Sequence, residues 1–150
     1  TAAYTLCDTN NPANCKDSSV TITVAAAIAP VADTGTATSG APSTPVANVA
    51  ANDTVNGVAA TLGAGGNATV AVNGAWPAGF TLDPATGAIN AAATLVPGTY
   101  TLPYTLCDRN TPANCANANA IVTVSADIKP SPDIVTVSAA GGNASLMTIG

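Results

Sequence analysis

The chain has no histidine, no glutamate and no glutamine. Its only bases are Lys16, Arg109 and Lys129, and all eight acids are aspartate, giving a net charge of −5. Holding nucleic acid through its phosphates takes several Lys or Arg contacts, and three scattered bases do not provide them. The same scarcity removes the polybasic signal for an anionic lipid surface. General acid–base chemistry would fall on Asp, Tyr, Lys or Cys alone, and no catalytic constellation of these is visible. The apolar fraction of 47% consists largely of alanine. No run approaches the ~20 apolar residues that a membrane-spanning helix needs, and no signal-peptide pattern is present.

The chain does contain an internal echo. Residues 4–15 read YTLCDTNNPANC and residues 104–115 read YTLCDRNTPANC, identical at ten of twelve positions at an offset of 100. The echo continues through Thr23/Thr123, Val24/Val124, Ala26/Ala126 and Ile28/Ile128 to Pro30/Pro130. A fixed internal period is the signature of a tandem array, and a unit of about 100 residues is the usual size of a β-sandwich domain. The boundaries expected are 1–30 as the end of a preceding unit, 31–130 as a complete unit, and 131–150 as the start of the next. Head-to-tail packing of separate 150-residue chains would leave the counterparts of 51–100 without a source, so a longer continuous polypeptide is expected. Subunits polymerising by strand exchange are the alternative.

The four cysteines fall in two matching pairs, Cys7/Cys15 and Cys107/Cys115. This spacing does not suit a CxxC metal knuckle, and no histidine completes a site. Duplicated even pairing reads as two local disulfides formed in an oxidising compartment. Reduced, buried thiols are the alternative.

Thr and Val favour strands, while the helix formers Glu, Gln and Met are missing or nearly so. Over 99–107, Tyr100, Leu102, Tyr104 and Leu106 fall on one face of a period-two pattern. Strands are expected at Pro45–Ala50, Val58–Leu62, Ala68–Val72, Phe80–Leu82, Ala88–Asn90, Thr99–Cys107 and Ala118–Val124, with Val20–Val24 in the first copy. Val31–Pro42 reads as a linker followed by an edge strand. Asn56-Gly57 is a hairpin signal, Asn73-Gly74 turns the chain again, and Asp83-Pro84-Ala85-Thr86-Gly87 is a turn. About seven short strands with regular turn signals and no helix predict an all-β, immunoglobulin-like antiparallel sandwich.

Three segments carry a family resemblance. Phe80-Thr81-Leu82-Asp83-Pro84-Ala85-Thr86-Gly87-Ala88-Ile89, followed by Pro97-Gly98-Thr99-Tyr100, resembles the LDPxTG and GTY signature of bacterial tandem immunoglobulin-like and cadherin-like surface repeats. Pro45–Gly57 and the YTLCD…NC…VTV ending are similar to the same repeats. The resemblance implies a long extracellular bacterial surface protein whose stacked domains act as stalk or fibre, with neighbouring copies of the repeat as partners. Many such relatives bind calcium between domains. Asp33 lies near the incoming linker and Asp127 and Asp133 near the outgoing one, Asp53 is a further calcium candidate, and the DxD and DxNDN clusters of those sites are absent.

Each remaining candidate has a structural reading beside the functional one. Asp8 and Asp108 are expected to cap their loops, and Asp53 and Asp83 to serve turns. Trp76 is a sugar-stacking candidate or a packing residue. Tyr100 is placed to bond back to the backbone as a corner tyrosine. Asn52-Asp53-Thr54, Asn67-Ala68-Thr69 and Asn143-Ala144-Ser145 match the N-glycosylation pattern by chance. The expected function is structural and non-catalytic. A binding module that grips glycan or a host-surface protein through Trp76 and residues 108–114 is the second reading.

Overall fold

The computed structural model describes residues 1–24, 27–132 and 134. Among these residues there are twelve strands and no helix. A first hairpin pairs β1 (Ala2–Cys7) with β2 (Cys15–Val20). Most of the remaining described strands form a sandwich. One sheet has the order β4 (Asp33–Thr38), β12 (Cys115–Ser125), β11 (Gly98–Asp108), β8 (Ala68–Val72). The other has the order β5 (Ser43–Val46), β10 (Ile89–Ala91), β9 (Phe80–Leu82). Pairing is antiparallel except at β4, which runs parallel to β12 along the sheet edge. A small third sheet joins β3 (Ile28–Ala29), β6 (Thr54–Val55) and β7 (Val58–Ala59).

The period-two pattern of β11 decides how the sandwich closes. Leu102, Tyr104 and Leu106 are fully buried, while Thr99 and Thr101 on the other face are exposed. They join Ala120, Val122 and Val124 of β12 and Val46, Phe80, Ile89 and Ala91 of the opposite sheet in one buried cluster. The Phe80 and Tyr100 rings meet across the two sheets, 5.1 Å apart and tilted at 59°, a favourable aromatic geometry. Pro103 cannot donate to a ladder, and it lies one residue past the Tyr104↔Val72 pair that ends the β8 pairing. Its carbonyl is used elsewhere, accepting from Asn73 N–H and the Trp76 indole.

The chain passes from one sheet to the other between β4 and β5. Gly35 permits this, because a Cβ there would strike the Pro45 carbonyl oxygen and lie 2.8 Å from its carbon. The Asn-Gly hairpin between β6 and β7 forms as expected, with Asn56 at φ 55° and Gly57 at φ 75°.

Four strands differ from the sequence expectation by more than one residue at an end, while Ala88–Asn90 and Thr99–Cys107 shift by one to Ile89–Ala91 and Gly98–Asp108. Pro45–Ala50 is a strand only to Val46, because Asn48 Oδ1 accepts the Ala50 N–H and closes a turn. Val58–Leu62 stops at Ala59, where Asn67 Oδ1 takes the Thr61 N–H out of any ladder. The closing strand begins at Cys115, three residues early, because pairing with β11 continues to the Cys107↔Cys115 pair. In the first copy the strand is Cys15–Val20 rather than Val20–Val24, since pairing there ends at Ala2↔Val20. The start expected for a following unit, 131–150, lies almost wholly outside the described residues.

Candidate functional site

The segment that leads into the sandwich is tied down along its length. Ile28 and Ala29 pair with Val55 and Thr54. Asn56 N–H donates to the Ala27 carbonyl at 2.8 Å, and Ala27 N–H donates to Asn56 Oδ1 at 2.9 Å. Val31 N–H donates to Asp53 Oδ1 at 2.7 Å. This last bond brings the segment to the most unusual group of the molecule.

Tyr104, central in β11, places its hydroxyl oxygen 3.1 Å from Val31 O, Asp33 Oδ2 and Val49 O, and 3.2 Å from Asp53 Oδ2. A phenol has one proton to donate, so four oxygens share one donor. Asp53 and Tyr104 are fully buried and Asp33 nearly so. Burial pushes the Asp33 carboxyl up to about 6, the Asp53 charge adds to this, and hydrogen bonds from Tyr104 and Asn52 offset part of it. Burial likewise raises Asp53, against the Val31 and Tyr104 hydrogen bonds. The Tyr104 phenol is raised by burial and by the two facing carboxylates, so it stays protonated. The cluster therefore favours taking up a proton, which supplies the second donor that the four oxygens lack.

Calcium does not fit this donor set. It needs six to eight oxygens at about 2.3–2.6 Å around an open centre. Here the phenol oxygen occupies the centre, and among the described residues Asp33 and Asp53 are the carboxylates that meet it. Asp133, the third carboxylate expected near a junction, lies outside the described residues. Among the described residues no three His, Cys, Asp or Glu side chains converge to hold a metal.

The other sequence candidates are dispersed. Cys7–Cys15 and Cys107–Cys115 are disulfides, each closing a loop at the tip of its own hairpin, with Cα atoms 4.1 Å apart. Asp8 and Asp108 each accept the N–H two residues on, at 2.8 Å. Asp83 accepts from Ala85 N–H and Thr86 Oγ1, and those bonds hold its carboxyl below the ordinary range. Asp53, in contrast, does not cap its turn: its carboxylate reaches across the unit to Val31 and Tyr104. Trp76 packs against the core and donates its indole N–H to Pro103 O at 2.7 Å. Tyr100 donates to Val96 O at 2.9 Å, the corner geometry. Arg109 pins the 108–114 loop by donating to Gly63 O and Ala68 O. The Asn67 side chain is committed to Thr61 and Ala59, and Asn143 lies outside the described residues. Asp127 and Lys129 form an exposed ion pair at 2.8 Å. No described helix is long and apolar enough to cross a membrane.

The hub, Tyr104, was not singled out by the sequence. The signal was present: a tyrosine repeated at 4 and 104, on the inward face of the best-defined strand, needs a partner for its hydroxyl once buried.

No protein-family model matches this chain, and no curated protein matches it. Among solved structures it is similar to protocadherin gamma B7 extracellular cadherin domains 1–4, at 18% identity and a TM-score of 0.49 over 69% of this chain and 24% of that one. It is also similar to the protocadherin gammaB7 EC3–6 cis-dimer, at 19% identity and a TM-score of 0.47 over 67% and 23%. Mouse clustered PcdhgC3 EC1–3 gives 22% identity and a TM-score of 0.44 over 69% and 33%. The chain thus spans between 23% and 33% of the length of those chains. The sandwich assignment itself stands on the strand order and register described above.

Proposed function

We propose that this chain is a non-catalytic structural repeat of an extracellular bacterial stalk, adhesin shaft or surface filament. The observation that carries the reading is the same disulfide-closed hairpin occurring twice, in the same register and 100 residues apart. On this reading residues 1–30 end one unit, 31–130 form the next, and 131–150 begin a third. Two disulfides among so few residues fit an oxidising compartment outside the cytoplasm.

The mechanism is mechanical. Each sandwich is a stiff bead. The connecting segment is not a free tether, because residues 27–31 are stitched to the loop that runs from Asp53 to Asn56. Pro30 limits bending within that segment. The four-oxygen cluster at Tyr104 locks the same segment to the centre of β11. Partial burial of Trp76 against the core, with its indole N–H on the Pro103 carbonyl, supports packing over glycan stacking as its role.

The experiment is single-molecule stretching of the native protein. A full unit of 100 residues should release roughly 300 Å of chain on unfolding, from an extended reach of about 3.4 Å per residue less the folded length. A regular ladder of such steps supports the array. A single event, or steps of irregular length, contradicts it.

A further inference from the structure

We propose that the apolar face of the β1–β2 hairpin is an interaction surface whose occupant is a segment patterned like residues 31–97, from a preceding repeat of the same polypeptide. The inference rests on the array reading, and it names what that reading requires at this face. Every residue of β1 and β2 is exposed, so nothing among the described residues covers them. Tyr4 is 52% exposed, Leu6 71% and Val20 47%. Ile22 and Val24 beyond the strand are exposed as well. An isolated two-stranded hairpin is marginal in water, and here Ala2, Tyr4 and Leu6 share one exposed face with Val20, opposite Ser18 and Lys16.

The chain contains its own key to that face. At an offset of 100, Tyr4, Leu6, Val20, Ile22 and Val24 correspond to Tyr104, Leu106, Ala120, Val122 and Val124, all buried beneath β5, β9 and β10. The registers are the same: Leu6↔Lys16 matches Leu106↔Ala116, and Cys7↔Cys15 matches Cys107↔Cys115. One cross-strand pair is exchanged in size. Ala2↔Val20 in the first hairpin stands where Leu102↔Ala120 stands in the second, so one large and one small residue face each other in both. That exchange changes the volume offered to a covering layer by one methylene. Lys16 replaces Ala116, which is only partly buried at the margin, where a lysine stem can lie on apolar surface with its ammonium in water.

The occupant must bring more than an apolar sheet. Tyr104 meets two carboxylates and two carbonyls supplied by residues 31–53, and the Tyr4 hydroxyl requires the same set. A second copy of the 150-residue chain does not meet the need. The one sheet of the right kind among the described residues is already covered by β11–β12, so an exchange would expose as much as it buries.

The test compares the 150-residue chain with an extended chain in which a copy of residues 31–100 is joined ahead of Thr1. Amide hydrogen exchange is followed in β1, β2, β11 and β12. The expected result is about a hundredfold or greater slowing of β1 and β2 exchange in the extended chain. Leu6→Ser should lower the unfolding midpoint of the extended chain and leave that of the 150-residue chain unchanged. The proposal is overturned if β1 and β2 exchange equally fast in both chains while β11 and β12 are protected, or if the added segment stays unprotected. It is also overturned if the 150-residue chain self-associates with its hairpin protected and loses that association on Leu6→Ser, for then the occupant is a second copy. These results concern the hairpin face alone. The stretching ladder judges the array separately.

Discussion

Replacing Asp33 by asparagine should flatten the dependence of the sandwich's stability on mildly acidic pH. The Asp33 carboxyl is buried beside Asp53 and takes its proton at about 6 rather than at 3.8. Between those values the folded chain holds a proton that the unfolded chain has released. The stability from this group is therefore full below 3.8 and is lost as pH rises through about 6. The gap between 3.8 and about 6 corresponds to about 3 kcal/mol, of which about 2 kcal/mol is regained on going from about pH 7.5 to about pH 4.5. Asp53 is raised for the same reason and adds in the same direction. Asp83 is lowered, so its stabilisation is lost only as pH falls below 3.8, outside this window. Urea unfolding followed by Trp76 fluorescence reads the effect. A change of about 2 kcal/mol moves the midpoint by about 1 M urea for a domain of this size. Wild type should unfold at higher urea at the lower pH, and Asp33→Asn should lose most of that difference, its amide donating where the carboxyl needed a proton. A wild-type midpoint that falls on acidification to about pH 4.5, or a slope that survives Asp33→Asn, refutes the reasoning.

Tyr104→Phe removes the one O–H shared by four oxygens, three of them in buried bonds, and should cost about 2–3 kcal/mol in chemical unfolding. Tyr4→Phe, on the exposed hairpin, should leave the same curve of the 150-residue chain within about 0.5 kcal/mol. Replacing Cys107 and Cys115 with serine opens a loop closed over a separation of 8 residues and should cost the sandwich about 2–3 kcal/mol. The same change at Cys7 and Cys15 should not move the sandwich's midpoint, which thermal unfolding of both double variants would check. Gly35→Ala forces a Cβ onto the Pro45 backbone where the chain changes sheets, and it should lower stability by about 1–3 kcal/mol.

The parts of the fold that were legible in the sequence are those set by neighbours along the chain. The alternation from Tyr100 to Leu106 placed one face inward because side chains alternate in a strand, and the Asn56-Gly57 hairpin followed from the left-handed backbone that both residues take. The cysteine pairs closed their own loops because the hairpin registers bring them opposite one another. The Tyr104 cluster was not legible, because its partners come from afar: Asp33 lies 71 residues away and Asp53 lies 51 away. Locally, Asn52-Asp53-Thr54 looks like any polar turn. Only closure of the sandwich shows that Asp53 faces inward and holds Val31. The ends of Pro45–Ala50 and Val58–Leu62 were overestimated for a related reason. The side chains of Asn48 and Asn67 compete for backbone N–H groups there, and apolar patterning does not register that competition.

The mass of the intact native polypeptide, denatured and reduced, tests the central claim most directly. An array of such repeats requires a mass many times the 14.4 kDa of these 150 residues. A mass near 14.4 kDa would contradict it and make the molecule a separate subunit, completed only by exchange of strands between copies.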